Sequence, residues 1–324
     1  MELKVNIYRN EENKVVPVDE NTLYDLIIIG GGPAGMTAAV YSLRKGLKTA
    51  MITYDIGGQM LETYSIENYM GFRFIEGSNL VNKFASQIKQ FEIALLEGVY
   101  VIGIRKEGKV FYIDTNNHRT YKSRAVIIAA GKSYRKLGVK GEAEFTGRGV
   151  SYCATCDVPL YKDKRVVVVG GGNSGVEAAI ELAKISKFVT LMQKGDRLTA
   201  DKLLIHQFEQ FPNKDIKFNV DVLEILGDDR VKGIRFKEGQ EEKTIETDGV
   251  FVEIGLIPNT GFIKDFLKLN KYGEIPVDEF CKTEVEGCFA AGDISSVPEK
   301  QIIVAAGEGA KAALSAYRFL TSTN

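Results

Sequence analysis

The residues of this 324-residue chain best suited to chemistry are Cys153 and Cys156, with Asp157 directly after them. When a C-x-x-C pair lies at the start of a helix, the neighbouring N–H groups lower the pKa of one thiol. That thiol attacks a disulfide, and its partner resolves the mixed disulfide that forms. Asp157 could donate a proton to a leaving thiolate. The spacing therefore predicts a redox-active pair with an acid beside it.

The same cysteines allow two other interpretations. A zinc site would combine Cys153 and Cys156 with Cys281 and Cys288 as four thiolates. The second pair is separated by six residues and Cys288 lies in an apolar strand, so the spacing is poor for a metal. A purely structural disulfide between the first two would restrain the unfolded chain little, because its loop is so short. Cys281 and Cys288 are expected to be ordinary small core or surface residues.

The overall composition narrows the class of protein. Hydrophobic residues make up 44% and charged residues 26% of the chain, with a formal net charge of −1, so no basic surface argues for nucleic acid. No apolar run approaches the roughly 20 residues that would cross a bilayer, and the N-terminus does not resemble a signal peptide. We therefore expect a cytoplasmic protein that binds neither nucleic acid nor membrane. In that compartment a close cysteine pair is catalytic or metal-binding.

An early segment has the pattern of a dinucleotide-binding loop. Residues 26–29 form a short apolar run, which predicts a buried parallel strand. Gly30, Gly32 and Gly35 then make G-x-G-x-x-G, and residues 36–43 have a helical pattern. The first glycine makes the turn, the second lets backbone approach a pyrophosphate, and the third lets helix and strand pack closely. The helix N-terminus would face the phosphates.

The same pattern returns 140 residues later. Residues 165–169 predict a strand, Gly170, Gly172 and Gly175 repeat the glycine spacing, and residues 176–182 predict a helix. One such motif is a weak signal, but two copies with matching strands and helices are strong. They imply two dinucleotides, or one cofactor and one substrate.

The order of the remaining strands indicates how the two folds are connected. Residues 49–53 and 125–129 predict further strands of the first fold, and residues 249–255 a strand of the second. The chain then returns to the first fold, with a strand within 287–293 and a last helix from Gln301. The second fold is therefore predicted to be inserted into the first.

We predict an α/β protein with two Rossmann-like dinucleotide-binding domains of the three-layer ββα type, the second inserted into the first. Residues 1–23 would be an N-terminal extension. Residues 24–137 and 266–324 would form the first domain, and residues 138–265 the second, which carries the cysteine pair.

After residue 23, essentially the whole chain resembles the low-molecular-weight thioredoxin reductase family. The motifs that carry this resemblance are Gly30-Gly31-Gly32-Pro33-Ala34-Gly35, Gly57-Gly58-Gln59, Glu67-Asn68, Tyr152-Cys153-Ala154-Thr155-Cys156-Asp157, Gly170-Gly171-Gly172-Asn173-Ser174-Gly175, Gly292-Asp293 and Gln301-Ile302. The last third also resembles the flavoprotein that reduces bacterial peroxiredoxin, which carries an additional N-terminal domain with its own cysteine pair.

The resemblance implies FAD in the first domain and NADH or NADPH in the second. Hydride would pass from nicotinamide to flavin and then to the Cys153–Cys156 disulfide, with Cys156 facing the flavin and Cys153 attacking thioredoxin. The inner domain would swing between the two transfers on connections near residues 138 and 265. We expect a homodimer, as in the family, whose partner is thioredoxin or a thioredoxin-like or glutaredoxin-like protein, and no metal.

The resemblance also implies which residues hold the cofactors. Asp293 would bind the ribityl or phosphate side of FAD, and Gln301 and Ile302 would contact the flavin ring. The residues expected around FAD are Gly30, Gly32, Pro33, Ala34, Gly35, Gly58, Gln59, Asn68, Ala130, Gly131, Gly292, Asp293, Gln301 and Ile302. Those expected around the nicotinamide nucleotide are Gly170, Gly172, Asn173, Ser174, Gly175, Gln193, Lys194 and Gly255.

The chain departs from the family where NADPH-using members carry His-Arg-Arg-x-x-x-Arg for the 2′-phosphate. The first arginine is replaced by Lys194, the second by Gly195 and the last by Thr199. Lysine cannot reproduce the bidentate phosphate contact of arginine. An NADH enzyme would usually have Asp or Glu where Gln193 stands, although Gln193 can still bond a ribose hydroxyl. The sequence favours NADH, with use of both nucleotides or of neither left open.

Other functions remain open at this point. Reduced ferredoxin could replace the nicotinamide as electron source, which the intact second glycine motif argues against. A flavin-containing redox sensor, or a zinc-stabilised flavin-binding protein, would use the cysteines without turnover. A peroxide-forming NADH oxidase and a reductase with a glutaredoxin-like partner are further alternatives.

Overall fold

The computed structural model describes residues 15–62 and 65–322 of the chain. Most of the predicted extension over 1–23 therefore lies outside the described residues. Within the described part the chain divides into two compact units. The first unit comprises the segment up to Met60, Ser78–Lys132 and the segment from Pro258, and the second comprises Leu61–Gly77 and Ser133–Ile257.

The helices and strands have the following bounds. The strands are β1 (Val15–Val16), β2 (Leu23–Gly31), β3 (Thr49–Ile56), β4 (Ser65–Ile66), β5 (Ile75–Glu76), β6 (Ile93–Glu97), β7 (Val101–Glu107), β8 (Val110–Thr115), β9 (Thr120–Ile128), β10 (Lys132–Tyr134), β11 (Val150–Ser151), β12 (Arg165–Val169), β13 (Phe188–Met192), β14 (Lys214–Lys217), β15 (Val220–Gly227), β16 (Val231–Glu238), β17 (Glu241–Glu246), β18 (Gly249–Val252), β19 (Leu256–Pro258) and β20 (Cys288–Ala290). The α-helices are α1 (Pro33–Arg44), α2 (Gly77–Ile88), α3 (Ala154–Asp157), α4 (Asn173–Ala183), α5 (Lys202–Glu209) and α6 (Ile302–Ser322).

The first unit is built on an eight-stranded sheet in the order β1-β6-β3-β2-β9-β8-β7, with β20 paired to β9. Its central strands are parallel, and β7, β8 and β9 form an antiparallel extension. The run Leu26–Ile28 in β2 is fully buried, as expected for a parallel strand covered on both faces. Helix α1 starts with Pro33 directly after the glycine turn, a position where proline's missing N–H is not needed.

The second unit repeats this plan with fewer strands. A five-stranded parallel sheet runs β11-β18-β12-β13-β14, and β15, β16 and β17 form an antiparallel sheet. Strand β12 leads through the second glycine loop into α4, whose buried side includes Val176, Ala179 and Leu182. Each unit therefore joins a parallel sheet to a glycine loop, a helix and a three-stranded antiparallel segment.

Two of the connections between the units are short strands. Strands β10 and β19 pair with each other where the chain leaves the first unit after Lys132 and re-enters it at Pro258. Beside this pair, the N–H of Arg135 donates to Gly255 O at 2.9 Å and the N–H of Asn259 donates to Gly131 O at 3.1 Å.

The observed elements depart from the sequence-based expectations in detail. Residues 61–77 group with the second unit, whereas the predicted boundaries place them within 24–137. The segment Gly58–Glu62 forms a short 3₁₀ helix, and Asp55 stabilises it by accepting the Gly58 N–H at 2.8 Å. None of the described helices is long and apolar enough to span a membrane.

Candidate active site

Cys153 and Cys156 are joined by a disulfide, with their Cα atoms 5.3 Å apart. Cys153 is the N-cap of α3 and has an extended backbone. Its carbonyl oxygen accepts the N–H groups of Cys156 at 3.2 Å and of Asp157 at 3.1 Å. The two sulfurs therefore lie on one helical turn that begins between the cysteines, where N–H dipoles favour a thiolate.

Asp157 is held beside this disulfide by Ser151, the last residue of β11. The Ser151 hydroxyl donates to Asp157 Oδ2 at 2.6 Å and accepts the Cys153 N–H at 3.2 Å. Asp157 Oδ1 is buried and has no hydrogen-bond partner among the residues that the structure describes. Burial raises the pKa of Asp157, and the hydrogen bond from Ser151 opposes that rise. The carboxyl can therefore hold a proton at higher pH than an exposed aspartate.

Glu253 is a further acidic residue at this site that the sequence did not single out. It directly follows β18, and its backbone carbonyl oxygen lies against Gly170 of the second glycine loop. Burial raises the pKa of Glu253 to about 7, with smaller contributions from the carboxylates of Glu177 and Glu181. A charged residue directly after an apolar strand, at the carboxyl edge of a parallel sheet, is a signal that could have identified it.

The glycine loop of the second unit is shaped by close backbone approaches. Gly170 has a φ of +128°, and a side chain there would overlap the carbonyl group of Glu253. A side chain at Gly175 would overlap the carbonyl oxygen of Gly170. At Gly172, by contrast, the nearest atom to an added methyl group is Thr199 Oγ1 at 3.9 Å. The open position lies at the N-terminus of α4, where a pyrophosphate would bind.

Several predicted nucleotide-binding side chains are engaged within the second unit. Gln193 accepts the Gly171 N–H at 3.2 Å through Oε1 and donates to the Arg197 carbonyl at 3.1 Å through Nε2. Asn173 bonds Asp201 twice, at 2.8 Å and 3.1 Å. Gln193 therefore links the second glycine loop, at Gly171, to the segment at Arg197.

Lys194 is an exposed residue whose ammonium group forms an ion pair with Asp221 at 2.9 Å. Gly195 is also exposed, and a side chain there would come no closer than 3.6 Å to its neighbours. Gly255, which was expected near the nucleotide, lies next to the connection between the units and has a φ of +101°.

The glycine loop of the first unit has the same construction. Side chains at Gly30 and Gly35 would overlap the carbonyl oxygens of Ala129 and Gly30, respectively. Gly32 has no atom within 4 Å of an added methyl group, and its backbone is extended with φ −74°. The loop therefore leaves an open cradle at its second glycine, as a dinucleotide site requires.

Other predicted FAD residues surround that cradle. A methyl group at Gly58 would lie 3.6 Å from Gly32 Cα, and one at Gly292 would lie 2.9 Å from Ala34 Cβ. The Gln59 amide donates to the carbonyl oxygen of Lys132. Lys132 directly follows Ala130 and Gly131, two other predicted FAD residues. Pro33 and Ala34 are the first residues of α1. Gln301 and Ile302 lie at the start of α6, where Gln301 O accepts the Ala305 N–H at 2.9 Å.

Asp293 lies in the first unit near a group of charges that are buried or partly buried. Burial raises the pKa of Asp293, and the nearby Lys300 and Lys132 oppose that rise. The two lysines pair with Glu274, at 2.6 Å from Lys132 and 3.3 Å from Lys300. Positive charge is thus held next to the carboxylate that the resemblance assigns to FAD. Asn68 lies in the second unit, so its predicted contact with FAD stays a prediction.

The remaining cysteines have a different character. Cys281 and Cys288 are buried free thiols of the first unit. Burial raises their pKa values, to about 11 for Cys281 and about 12 for Cys288. They remain protonated and unreactive near neutral pH. Within the described residues, no group of three or more His, Cys, Asp or Glu side chains is arranged to hold a metal ion.

Two nucleotide-binding folds and a disulfide with the Asp157 carboxyl group beside it define the class of nucleotide-dependent disulfide oxidoreductases. Residues 24–309 match the family model of pyridine nucleotide-disulphide oxidoreductases. The chain belongs to this family, whose members use FAD and a pyridine nucleotide. The open glycine cradles of both units fit such cofactors.

Comparisons with individual proteins support the same assignment. A thioredoxin reductase of Streptococcus pyogenes is 37% identical, with a TM-score of 0.87 over 96% of this chain and 99% of its own. One from Giardia duodenalis is 33% identical, with a TM-score of 0.85 over 92% of this chain and 99% of its own. The predicted α/β fold and the resemblance to low-molecular-weight thioredoxin reductases are therefore confirmed.

Curated relatives include a longer protein, a component of the alkyl hydroperoxide reductase of Staphylococcus aureus. It is 42% identical over 299 residues, which cover 92% of this chain and 59% of the relative. The chain thus spans about three fifths of the length of such relatives.

Proposed function

We propose that this protein is an FAD-dependent disulfide reductase of the thioredoxin reductase type. Electrons would pass from NADH through FAD to the Cys153–Cys156 pair, and from there to a disulfide of a thioredoxin-like protein. The observation that carries the proposal is the disulfide on α3, next to a second dinucleotide loop and supported by Asp157. The predicted cofactor residues and the homodimer are part of the same proposal.

Bound FAD would supply the two electrons that break the Cys153–Cys156 bond, with a nicotinamide as their source. The rest of the chemistry falls to the cysteines and Asp157. Reduction by a hydride equivalent gives one thiol and one thiolate. Cys153, at the N-cap of α3, would attack the partner's disulfide and release one partner thiolate. Asp157 would protonate that leaving group and then accept the proton of Cys156. The Cys156 thiolate would displace the second partner sulfur and restore the disulfide.

The preference for NADH rests on the residues where a 2′-phosphate would bind. Lys194 is the cation retained from the family motif, and its charge is paired with Asp221. The amide of Gln193 is bonded to the loop and to Arg197. A 2′-phosphate would therefore approach the Asp221 carboxylate without a matching pair of arginines, which disfavours NADPH.

A hinge near residue 138 is also part of the proposal. Glu142 accepts the N–H groups of Leu137 and Gly138 at 2.7 Å each. It also accepts the hydroxyl of Tyr152 at 3.0 Å. Tyr152 directly precedes Cys153, so the segment at the expected hinge is bonded to the strand that leads to the disulfide.

The relative from Staphylococcus aureus favours a second candidate partner, a peroxiredoxin of an alkyl hydroperoxide reductase system.

Steady-state assays of the FAD-loaded protein with thioredoxin and with a peroxiredoxin, each with NADH and NADPH, test the proposal. We expect turnover with thioredoxin and NADH and none after Cys156→Ser. Turnover with the peroxiredoxin and not with thioredoxin would show that the partner is a peroxiredoxin. Disulfide reduction that survives Cys156→Ser would overturn the proposed function.

A further inference from the structure

Lys132, Glu274 and Lys300 form a cluster of largely buried charges in the first unit. Glu274 Oε1 lies 2.6 Å from the ammonium nitrogen of Lys132 and 3.3 Å from that of Lys300. The side chains of Lys132 and Glu274 are each 10% exposed, and that of Lys300 is 16% exposed. Because water screens such charges weakly, they act on their surroundings more strongly than surface charges do. One carboxylate thus holds two ammonium groups in place.

Glu274 is itself fixed by Asn270. Its second carboxyl oxygen accepts a hydrogen bond from the side-chain amide of Asn270 at 2.8 Å, and the Asn270 amide oxygen accepts the Glu274 N–H at 3.0 Å. The pKa of Glu274 is lowered, because burial alone would raise it but the bonds from Lys132 and Asn270 and the charge of Lys300 outweigh burial. Glu274 is therefore a carboxylate at neutral pH, as holding two ammonium groups requires.

Lys132 lies at the carboxyl edge of the sheet of the first unit, beside the first glycine loop. It follows shortly after Ala129, whose carbonyl group leaves no room for a side chain at Gly30. Its own carbonyl oxygen accepts the side-chain amide of Gln59, and it directly follows Gly131. Ligands bind at this edge of a parallel sheet. The proposed function assigns Gln59 and Gly131 to FAD, so Lys132 adjoins the residues that would hold the cofactor.

Lys300 connects the cluster to the start of α6. It directly precedes Gln301, which together with Ile302 is predicted to contact the flavin ring. Its ammonium group donates to Ser295 O at 2.7 Å, in the turn that follows Asp293. The cluster therefore adjoins the residues assigned to the flavin ring as well as the carboxylate assigned to the ribityl or phosphate side of FAD.

We propose that Lys132 and Lys300, positioned by Glu274, stabilise the negative charge that the flavin gains when it is reduced. A hydride from the nicotinamide carries two electrons and one proton, so its transfer leaves the nicotinamide oxidised and adds one negative charge to the flavin ring. The inference rests on the proposed function, which supplies both the FAD and the reductant. Two fixed ammonium groups in a weakly screened site favour the added charge and raise the reduction potential of the flavin.

The test measures the reduction potential of the flavin in the full-length, FAD-loaded protein. The parent protein and every variant carry Cys156→Ser, so that the cysteine pair takes up no electrons. Xanthine and xanthine oxidase reduce the protein slowly beside a dye of known potential, and absorbance gives the ratio of reduced to oxidised flavin. Lys132→Met and Lys300→Met each remove one ammonium group and keep most of the side-chain length. Lys132→Arg keeps the charge, and Lys109→Met changes an exposed lysine between β7 and β8.

At the potential that leaves the parent protein half reduced, Lys132→Met should lower the ratio of reduced to oxidised flavin about tenfold, because one weakly screened charge shifts an equilibrium by about an order of magnitude. Lys132→Arg and Lys109→Met should keep the ratio of the parent. Asp293 is present in all of these proteins, so its charge contributes equally. An unchanged ratio in Lys132→Met, or an equal fall in Lys109→Met, would overturn the inference.

Lys300→Met provides a second test, which holds even if Lys132→Met does not fold. Glu274 keeps one lysine partner in each of the two variants, so no carboxylate is left buried alone. Lys300→Met should also lower the ratio about tenfold, and an unchanged ratio would contradict the inference.

Titration of the apoproteins with FAD separates stabilisation of the reduced flavin from binding of the cofactor. We expect the parent and the methionine variants to bind oxidised FAD with similar affinity. A loss of affinity for oxidised FAD without a change in the ratio would mean that the lysines bind a phosphate group of FAD, which would overturn the inference. Because xanthine oxidase and the dye replace the nicotinamide and thioredoxin, failure here and failure of the proposed function are separate results.

Discussion

The hydroxyl of Ser151 donates a 2.6 Å hydrogen bond to Asp157, while the second carboxyl oxygen of Asp157 is buried without a partner in the described part of the chain. A carboxylate in this position is poorly solvated, and this burial raises the pKa of Asp157. The relationship supports Asp157 as the acid that the sequence indicated beside the cysteines.

Replacing Asp157 by Asn should lower thioredoxin reduction by about 10²-fold or more, since a positioned general acid contributes on that scale. Flavin reduction by NADH should change little, because no thiol is protonated in that step. Stopped-flow reduction of the flavin and steady-state turnover, measured on the same preparation, separate the two. Equal loss in both steps would show that Asp157 is needed only for folding.

Ser151→Ala keeps the Asp157 carboxyl group and changes only its pKa. The bond from Ser151 lowers the pKa of Asp157 against the effect of burial, so its loss should raise that pKa further. The acid form would then persist to higher pH. The alkaline limb of the pH profile of turnover, which reports Asp157, should move to higher pH. A move to lower pH would contradict the assignment of Asp157 as the general acid.

The two ends of the first glycine loop should respond differently to alanine. At Gly35 a methyl group overlaps the Gly30 carbonyl, so Gly35→Ala should destabilise the fold by about 1–3 kcal/mol or more. At Gly32 the space is open, so Gly32→Ala should keep the stability of the apoprotein and weaken FAD binding. Chemical unfolding of the apoproteins and flavin titration measure these effects. Full FAD affinity in Gly32→Ala would mean that the cradle does not hold the cofactor.

Adding an arginine at Gly195 should improve the use of NADPH. The position is exposed and open, and a hydrogen bond between charged groups contributes about 1.5–3 kcal/mol. The ratio of kcat/KM for NADPH over NADH should therefore rise about tenfold or more. Gly195→Gln, which adds bulk without charge, is the matched control. A similar change in both variants would point to a steric effect.

Glu253 should make stability depend on pH. Its pKa is raised in the folded protein from 4.5 to about 7, mainly by burial. A group with a raised pKa contributes its full stability below the unfolded value and loses it as pH rises through the folded value. Because Glu253 is only partly buried, we expect a loss of roughly 2–3 kcal/mol between pH 4.5 and 8.

Glu253→Gln should lack this loss, so its advantage over the wild type should grow with pH in chemical denaturation experiments. Glu209→Gln, which changes an exposed acid on α5, should show the wild-type pH dependence. A difference in stability between Glu253→Gln and the wild type that stays constant across pH would contradict the prediction, because Glu253 would then not titrate in this range.

The sequence predicted the parts of this protein that local patterns encode. The buried run in β2, the two glycine loops and the cysteine pair at the start of α3 each follow from residue type and spacing. Glu253 could not be identified in this way, because Gly170, against which its carbonyl oxygen lies, is about 80 residues earlier in the chain. Only the parallel pairing of β11, β18 and β12 brings these residues to one edge of the sheet.

The region expected to bind the nucleotide's ribose shows a similar limit. The sequence identified Gln193 and Lys194 by their place after β13, but side-chain partners depend on other segments. Asp221 on β15 pairs with Lys194, and the Gly171 N–H bonds Gln193. Neither contact has a signature in a single stretch of sequence.

The measurement that tests the central claim most directly is an anaerobic titration of the FAD-loaded protein with NADH. If electrons pass through the flavin to the Cys153–Cys156 disulfide, the wild type should consume two equivalents of NADH per flavin, one for each acceptor. Cys156→Ser should consume one equivalent and still bleach the flavin. The same stoichiometry in both proteins would contradict the account, because the disulfide would then receive no electrons from the flavin.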